Sequence, residues 1–261
     1  MPEEVLAGGN LNPVARAGDT VRRATGAWTP AVHQLLKHLE AHGFEAAPRV
    51  LGVDDQGREV LTFIDGDTDS SGAQSWIWSE RALVEAARLI RRYHDLSRSF
   101  QSPANPHWQV MVRAPTQGDI ICHNDLAPFN AVYRQGIPVA FFDWDLAAPG
   151  TPLWDIAYAV WRFVPLYSDT AGRSWPASID ERAARLRSFC DSYGLEFHDR
   201  ARLVELIERR IQCVLDTGEA WGKAGKPGWS EMWRENTHRD GALRDLAYIN
   251  EHRRALTDAL V

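Results

Sequence analysis

The stretch "HNDLAPFN", His123–Asn130, decides the reading together with "FFDWD", Phe141–Asp145. The first places a histidine, a carboxylate and a carboxamide within eight residues. The apolar run "GDIIC", from Gly118, leads into it. "NAVYRQGIPVAFFDWD" follows and reads as strand, Gln135-Gly136 turn, strand. In an antiparallel hairpin the start of one strand lies beside the end of the other. Asn130 and Asp143 are therefore expected to be neighbours to within about one residue of register. Asp125 sits on the loop entering the hairpin, so three oxygen-bearing side chains are expected at one end of a small sheet.

Asn and Asp oxygens are hard ligands that suit Mg²⁺, an ion that keeps waters and borrows phosphate oxygens. A carboxylate not committed to metal can orient a hydroxyl and accept its proton. These are the parts of phosphoryl transfer. A catalytic Asp, an Asn five residues later and a separate metal-binding Asp match Asp125, Asn130 and Asp143. The plainer reading, in which Asp125 and Asn130 cap turns as Asx residues do, does not account for their spacing to "FFDWD". His123 is expected to bond backbone near the loop rather than act as a base. Cys122 faces away from it in an extended chain and is expected to be a buried small residue. Asp145 is open between a supporting carboxylate, a metal ligand and a cap. Asp155 is expected to anchor the loop or cap a helix.

The 261 residues, 44% hydrophobic and 25% charged, have the composition of a globular protein with a sizeable core. A formal charge of -6 without a concentrated basic patch argues against nucleic acid as a partner. Three scattered cysteines make neither a disulfide framework nor a metal site. No run reaches the length of a membrane span, and "MPEEVLAGGN" lacks a secretory apolar core, so the expectation is a cytoplasmic protein without a membrane partner.

Along the chain, "EEVLAGGNLNPVARAGDTVRR" reads as short strands broken by Gly8-Gly9-Asn10 and Gly18-Asp19. "WTPAVHQLLKHLEAHGF" predicts a helix capped by Thr29, with Val32, Leu35, Leu36 and Leu39 on one face and a stop at Gly43. "APRVLGVDDQGREVLTFIDG" predicts two strands. Residues 1–64 thus form a small β-rich lobe. Residues 65–261 form a larger, mainly helical lobe, opening with the amphipathic "SERALVEAARLIRRYHDLS".

"HNDLAPFN" with "FFDWDLAAPGTPLWDIA" resembles the aminoglycoside phosphotransferase and choline kinase group, the phosphotransferase enzyme family, across most of the chain. The resemblance implies an α+β, bilobal, protein-kinase-like fold and a kinase dependent on ATP or GTP and on Mg²⁺. Asp125 would be the catalytic residue, and Asn130 and Asp143 would hold the metal. "REVLTFIDG" looks like the interlobe hinge, whose backbone at Thr62, Phe63 and Ile64 would bind the adenine edge. Where the family carries a strand lysine for the phosphates this chain has "TVRR", with Arg22 the first candidate and Arg23 the alternative. The helix glutamate that usually partners that lysine is unclear. Gly8-Gly9-Asn10 is either a phosphate turn or a plain hairpin turn.

The implied acceptor is a small molecule with a hydroxyl. The acid- and Trp-rich segments Asp65–Glu80 and Asp216–His238 favour a cationic antibiotic, of aminoglycoside or cyclic-peptide type. The alternatives are a metabolic kinase for an amino alcohol or sugar, and a nucleotide-binding pseudokinase. A protein kinase is disfavoured, because no Asp-Phe-Gly or Ala-Pro-Glu element occurs in the expected region.

Overall fold

The computed structural model describes residues 3–6, 14–69, 72–168, 178–235 and 237–261. Gly8-Gly9-Asn10 lies outside the described residues. Strands β1 (Glu4–Leu6), β2 (Val14–Ala17), β3 (Thr20–Ala24), β4 (Val50–Val53) and β5 (Arg58–Thr62) form one antiparallel sheet, in the order β1-β2-β3-β5-β4. Helix α1 (Thr29–Ala41) links β3 to β4 and buries Val32, Leu35, Leu36 and Leu39, the expected face. Trp28 rather than Thr29 is its N-cap. The Thr29 hydroxyl instead accepts from the Gly26 amide at 2.8 Å, which closes the turn leading into the helix.

The second lobe opens with α2 (Glu80–Ser97), whose Ser79 cap accepts from the Ala82 amide. Strand β6 (Ile120–Cys122) pairs with β9 (Ala148–Gly150). Between them β7 (Ala131–Arg134) and β8 (Ile137–Phe141) make the expected hairpin, turning at Gln135 and Gly136, both with positive φ. Such a turn matches the twist of its strands. Helices α3 (Pro152–Phe163), α4 (Ile179–Tyr193), α5 (Phe197–Lys223), α6 (Trp229–Arg234), α7 (Thr237–Glu251) and α8 (Arg253–Asp258) complete the chain. No helix among the described residues is long and apolar enough to cross a membrane.

One buried cluster runs from α1 through α2 and the β7–β8 hairpin to α3, α4 and α5, so the lobes share a core. Trp78, Trp144, Trp154 and Trp161 are buried in the interior. All three cysteines are free and buried.

The β6–β9 pair sets the entrance of the catalytic loop, and Gly118 permits it. A Cβ at Gly118 would lie 1.7 Å from the carbonyl oxygen of Gly150. Backbone cannot yield as a side-chain end can, so Gly118→Ala must push the strands apart. A loss of about 1–3 kcal/mol is expected, as for overpacking. A denaturant melt checks it, and the paired substitution Gly118→Ser should be worse.

Candidate active site

The hairpin delivers its ends as its pattern requires. Ala131 is paired with Phe141, and the Phe142 amide donates to the Asn130 carbonyl at 3.0 Å. Asn130 and Asp143 therefore leave the same end of the sheet. The Asn130 amide nitrogen donates to Asp125, at 2.8 Å to Oδ2 and 3.1 Å to its carbonyl. With its nitrogen so used, the Asn130 side-chain oxygen is left to face elsewhere. Asp125 also accepts from the Tyr158 hydroxyl of α3. Burial raises the Asp125 pKa, and the Tyr158 bond offsets only part of that shift. A carboxylate offers about four acceptor sites, so two donors leave room for a hydroxyl.

The loop is held from beneath by Asp155, which is fully buried in the first turn of α3. Its carboxylate accepts from the amides of His123 and Asn124, each at 2.8 Å, and from His94 Nε2 at 3.1 Å. Burial raises its pKa, but the His94 bond and the surrounding donors outweigh that and leave it lowered. Asn124 takes a left-handed conformation with φ 66°. Its amide is on Asp155, its side-chain nitrogen donates to Leu146 O at 2.9 Å, and Arg210 donates to its carbonyl at 2.6 Å. Such a backbone persists only where its surroundings over-determine it. His123 Nε2 donates to Phe142 O at 3.1 Å while its Nδ1 accepts from the Asp125 amide. It is a neutral strut between the two motifs, and burial holds its pKa down.

Of the two candidate arginines, Arg23 reaches the hairpin end and Arg22 does not. Successive residues of a strand face opposite sides. Arg22 lies 3.7 Å from Asp54 and 3.9 Å from Glu3 on the far face. Arg23 donates to Glu59 at 2.5 Å, to Asp143 at 3.0 Å and to Asp145 at 2.5 Å. Asp145 thus supports the cation, and burial raises its pKa although Arg23 opposes the shift.

The partner missing from the helix is on the neighbouring strand. Arg23 lies directly across from Glu59 in the β3–β5 register. Glu59 is 2% exposed and also bonds His33 of α1 at 2.7 Å. Burial would raise the Glu59 pKa, but His33 and Arg23 together hold it low. An acid in phase with buried Leu61 was the signal in the sequence.

In the segment expected to be the hinge, two of the three named amides are engaged. The Thr62 amide donates to Arg49 O at 3.0 Å, and the Phe63 amide to Asp19 O at 2.8 Å. The Ile64 amide has no such backbone partner among the described residues.

Residues 106–189 match the Phosphotransferase enzyme family. The trifolitoxin immunity protein of Rhizobium leguminosarum bv. trifolii is 35% identical over 274 residues, covering all of both chains. The chain belongs to the phosphotransferase enzyme family. Solved structures of phosphotransferases share its fold. An amicoumacin kinase in complex with AMP-PNP, Ca²⁺ and Ami superposes with a TM-score of 0.65, at 13% identity, over 98% of this chain and 88% of that one. A choline/ethanolamine kinase family protein from Mesorhizobium loti gives 0.61, at 16% identity, over 100% and 92%. The fold of this phosphotransferase is therefore the bilobal, protein-kinase-like one.

The residues of this phosphotransferase fit a divalent ion. Asn130 Oδ1 and the half-exposed Asp143 carboxylate are hard oxygen donors, and Asp143 already accepts a cation, Arg23. No group of three His, Cys, Asp or Glu converges among the described residues. A site of two protein oxygens suits Mg²⁺, which completes its shell with phosphate oxygens and water.

Asp155→Asn should take the charged acceptor from both loop amides and from His94, and turn an NH₂ group toward one of those donors. A stability loss of about 3–5 kcal/mol is expected, the range for breaking a buried pair. The Asp155 pKa is lowered on folding, so its contribution is complete above the unfolded value near 4 and is lost as pH falls toward the folded value. Denaturant melts should show the gap between wild type and variant shrinking below about pH 4.

Proposed function

We propose that this phosphotransferase moves the γ-phosphoryl group of ATP or GTP to a hydroxyl of a small-molecule antibiotic or toxin and thereby confers resistance. The observation that carries this reading is the convergence of Asp125, Asn130 and Asp143 at one hairpin end, clamped by Asp155. The names of the relatives support the resistance role: one is a toxin immunity protein and one an amicoumacin kinase. The pseudokinase alternative rested on a missing cation–carboxylate pair, and Arg23 with Glu59 supplies one.

In this mechanism Asp125 orients the acceptor hydroxyl and takes its proton. The acceptor oxygen forms a bond to the γ-phosphorus as the bond to the β-bridging oxygen breaks, and the nucleoside diphosphate leaves. Asn130 and Asp143 would hold Mg²⁺, which neutralises charge on the phosphates. Arg23 is placed to leave Asp143 for a phosphate, where guanidinium binds bidentately. The hinge would offer the Ile64 amide, beside the carbonyls of Thr62 and Phe63, to the adenine edge. We place the lobe boundary at residues 64 and 65.

The charge of the acceptor is a separate matter. Several of the carboxylates that favoured a cationic acceptor are engaged locally. Asp69 accepts from the Gly72 and Gln74 amides at 3.0 and 2.7 Å. Asp216 pairs with Arg113 at 2.9 Å, and Glu219 pairs with Lys223. This reading rests on the hydroxyl of the acceptor and not on its charge.

Two outcomes are expected. Asp125→Asn should lower kcat about 10²–10⁴-fold, as for loss of a positioned base, with nucleotide affinity kept. Arg23→Gln should raise the nucleotide KM, whereas Arg22→Gln should not. Phosphate transfer followed by mass spectrometry, with nucleotide binding measured separately, checks both. Near-normal turnover of Asp125→Asn would remove the assignment.

A further inference from the structure

Arg162 is a cation that the phosphotransfer reading does not use. It lies on α3 one turn beyond Tyr158, whose hydroxyl is bonded to Asp125. Its guanidinium carbon sits 4.8 Å from the Trp161 ring centroid and 5.0 Å from that of Phe129, a residue of the catalytic loop. Tyr167 and Tyr158 follow at 5.3 and 5.8 Å. Among the described residues Arg162 makes no ion pair, and its Nε is buried without a hydrogen-bond partner. The Nε atoms of Arg185 and Arg210 are likewise unbonded, but Arg210 bonds the Asn124 carbonyl and Arg185 those of Trp78 and Phe163 through their other nitrogens, whereas the Arg162 guanidinium makes no hydrogen bond among the described residues.

A buried N–H donor left unbonded costs stability unless something binds it. The aromatic walls explain why the guanidinium is tolerated there, since rings attract it through their faces. They give it no acceptor. The nearby carboxylates do not fill that role. Asp245 is spent on Trp161 Nε1 at 3.1 Å and on the Ser168 amide at 3.0 Å. Asp125 is bonded to Asn130 and Tyr158.

We propose that Arg162 is the acceptor-binding cation of this site and pairs with a carboxylate on the acceptor, about one helical turn, roughly 6 Å, from the hydroxyl that Asp125 activates. Planar guanidinium matches a carboxylate through two parallel N–H bonds. A monoanion is favoured over a phosphate because the nearby Asp125 and Asp245 would repel a dianion. The hydroxyl half of this inference rests on the phosphotransfer reading; the anion half stands on Arg162 alone. It makes Arg162 a specificity-determining residue and reverses the charge that composition favoured.

The probes are N-acetyl-seryl-glycine, with a hydroxyl and a carboxylate at about this separation, and its neutral C-terminal amide. First, the Arg162 Nε–H resonance, assigned by its loss in Arg162→Gln, is followed during titration of the whole protein. The acid should give a saturable shift and the amide none. Second, transfer from ATP with Mg²⁺ is measured by mass spectrometry. The acid should have a KM about 10–100-fold below that of the amide, the range of a charge-assisted pair. Arg162→Gln should erase that difference while the nucleotide KM holds. If that variant fails to fold, Arg162→Lys replaces it, and the wild-type titration still decides. Absence of an acid-dependent shift, equal KM values for the two probes, or a polyamine as the better acceptor would overturn the proposal. A saturable shift without transfer to any hydroxyl would instead overturn the phosphotransfer reading and leave the anion site standing.

Discussion

The buried carboxylate of Asp155 is the constraint on which the site depends. It receives two consecutive backbone amides of the catalytic loop and a histidine from α2. A charge withdrawn from water must be compensated by donors on every side, and such a site is strongly destabilised when one partner is lost. This requirement ties α2, α3 and the loop into one unit. From that unit follow the left-handed Asn124, the direction of Asp125, and the strut from His123 to Phe142 just before Asp143. Asp143 is itself left-handed, with φ 62°, a second strained position set against the same loop.

Two arginines stand above this floor. Arg23 bridges Glu59, Asp143 and Asp145, so the small lobe is tied to the end of the β7–β8 hairpin. This interlobe pairing asks a phosphate or a metal to displace an existing ion pair. Guanidinium is suited to the exchange, because it is weakly hydrated and presents several donors at once. On the opposite side Arg162 stands among aromatic rings beside Asp125. The same chemistry, a planar cation with a fork of donors, thus faces the expected donor and the expected acceptor.

Much of this was legible in the sequence, for physical reasons. Hairpin geometry forces its two ends together, so Asn130 and Asp143 followed from a turn at Gln135-Gly136. The amphipathic period revealed α1 and α2, because burial of one face is what stabilises a helix. The register of "TVRR" was not legible. A one-residue choice in a strand exchanges its faces, and nothing local distinguishes Arg22 from Arg23 until Glu59 is recognised across the sheet. The short strand β9 escaped as well, since three residues carry little pattern. Composition does not say which carboxylates of the acid-rich segments are spent on backbone amides, as Asp69 is. Arg162 carries no mark in the sequence, because only the fold brings Phe129 and Tyr167 around it.

The most direct measurement is a crystal structure with Mn²⁺ and AMP-PNP, with the metal located by anomalous scattering. The account predicts a peak at roughly 2 Å from Asp143 and Asn130 Oδ1, the coordination distance of a small hard divalent ion. Arg23 should then lie on a phosphate, and Asp125 should remain free of metal and open toward the acceptor side. A metal held elsewhere, or Arg23 still closed on Asp143 with nucleotide bound, would contradict it.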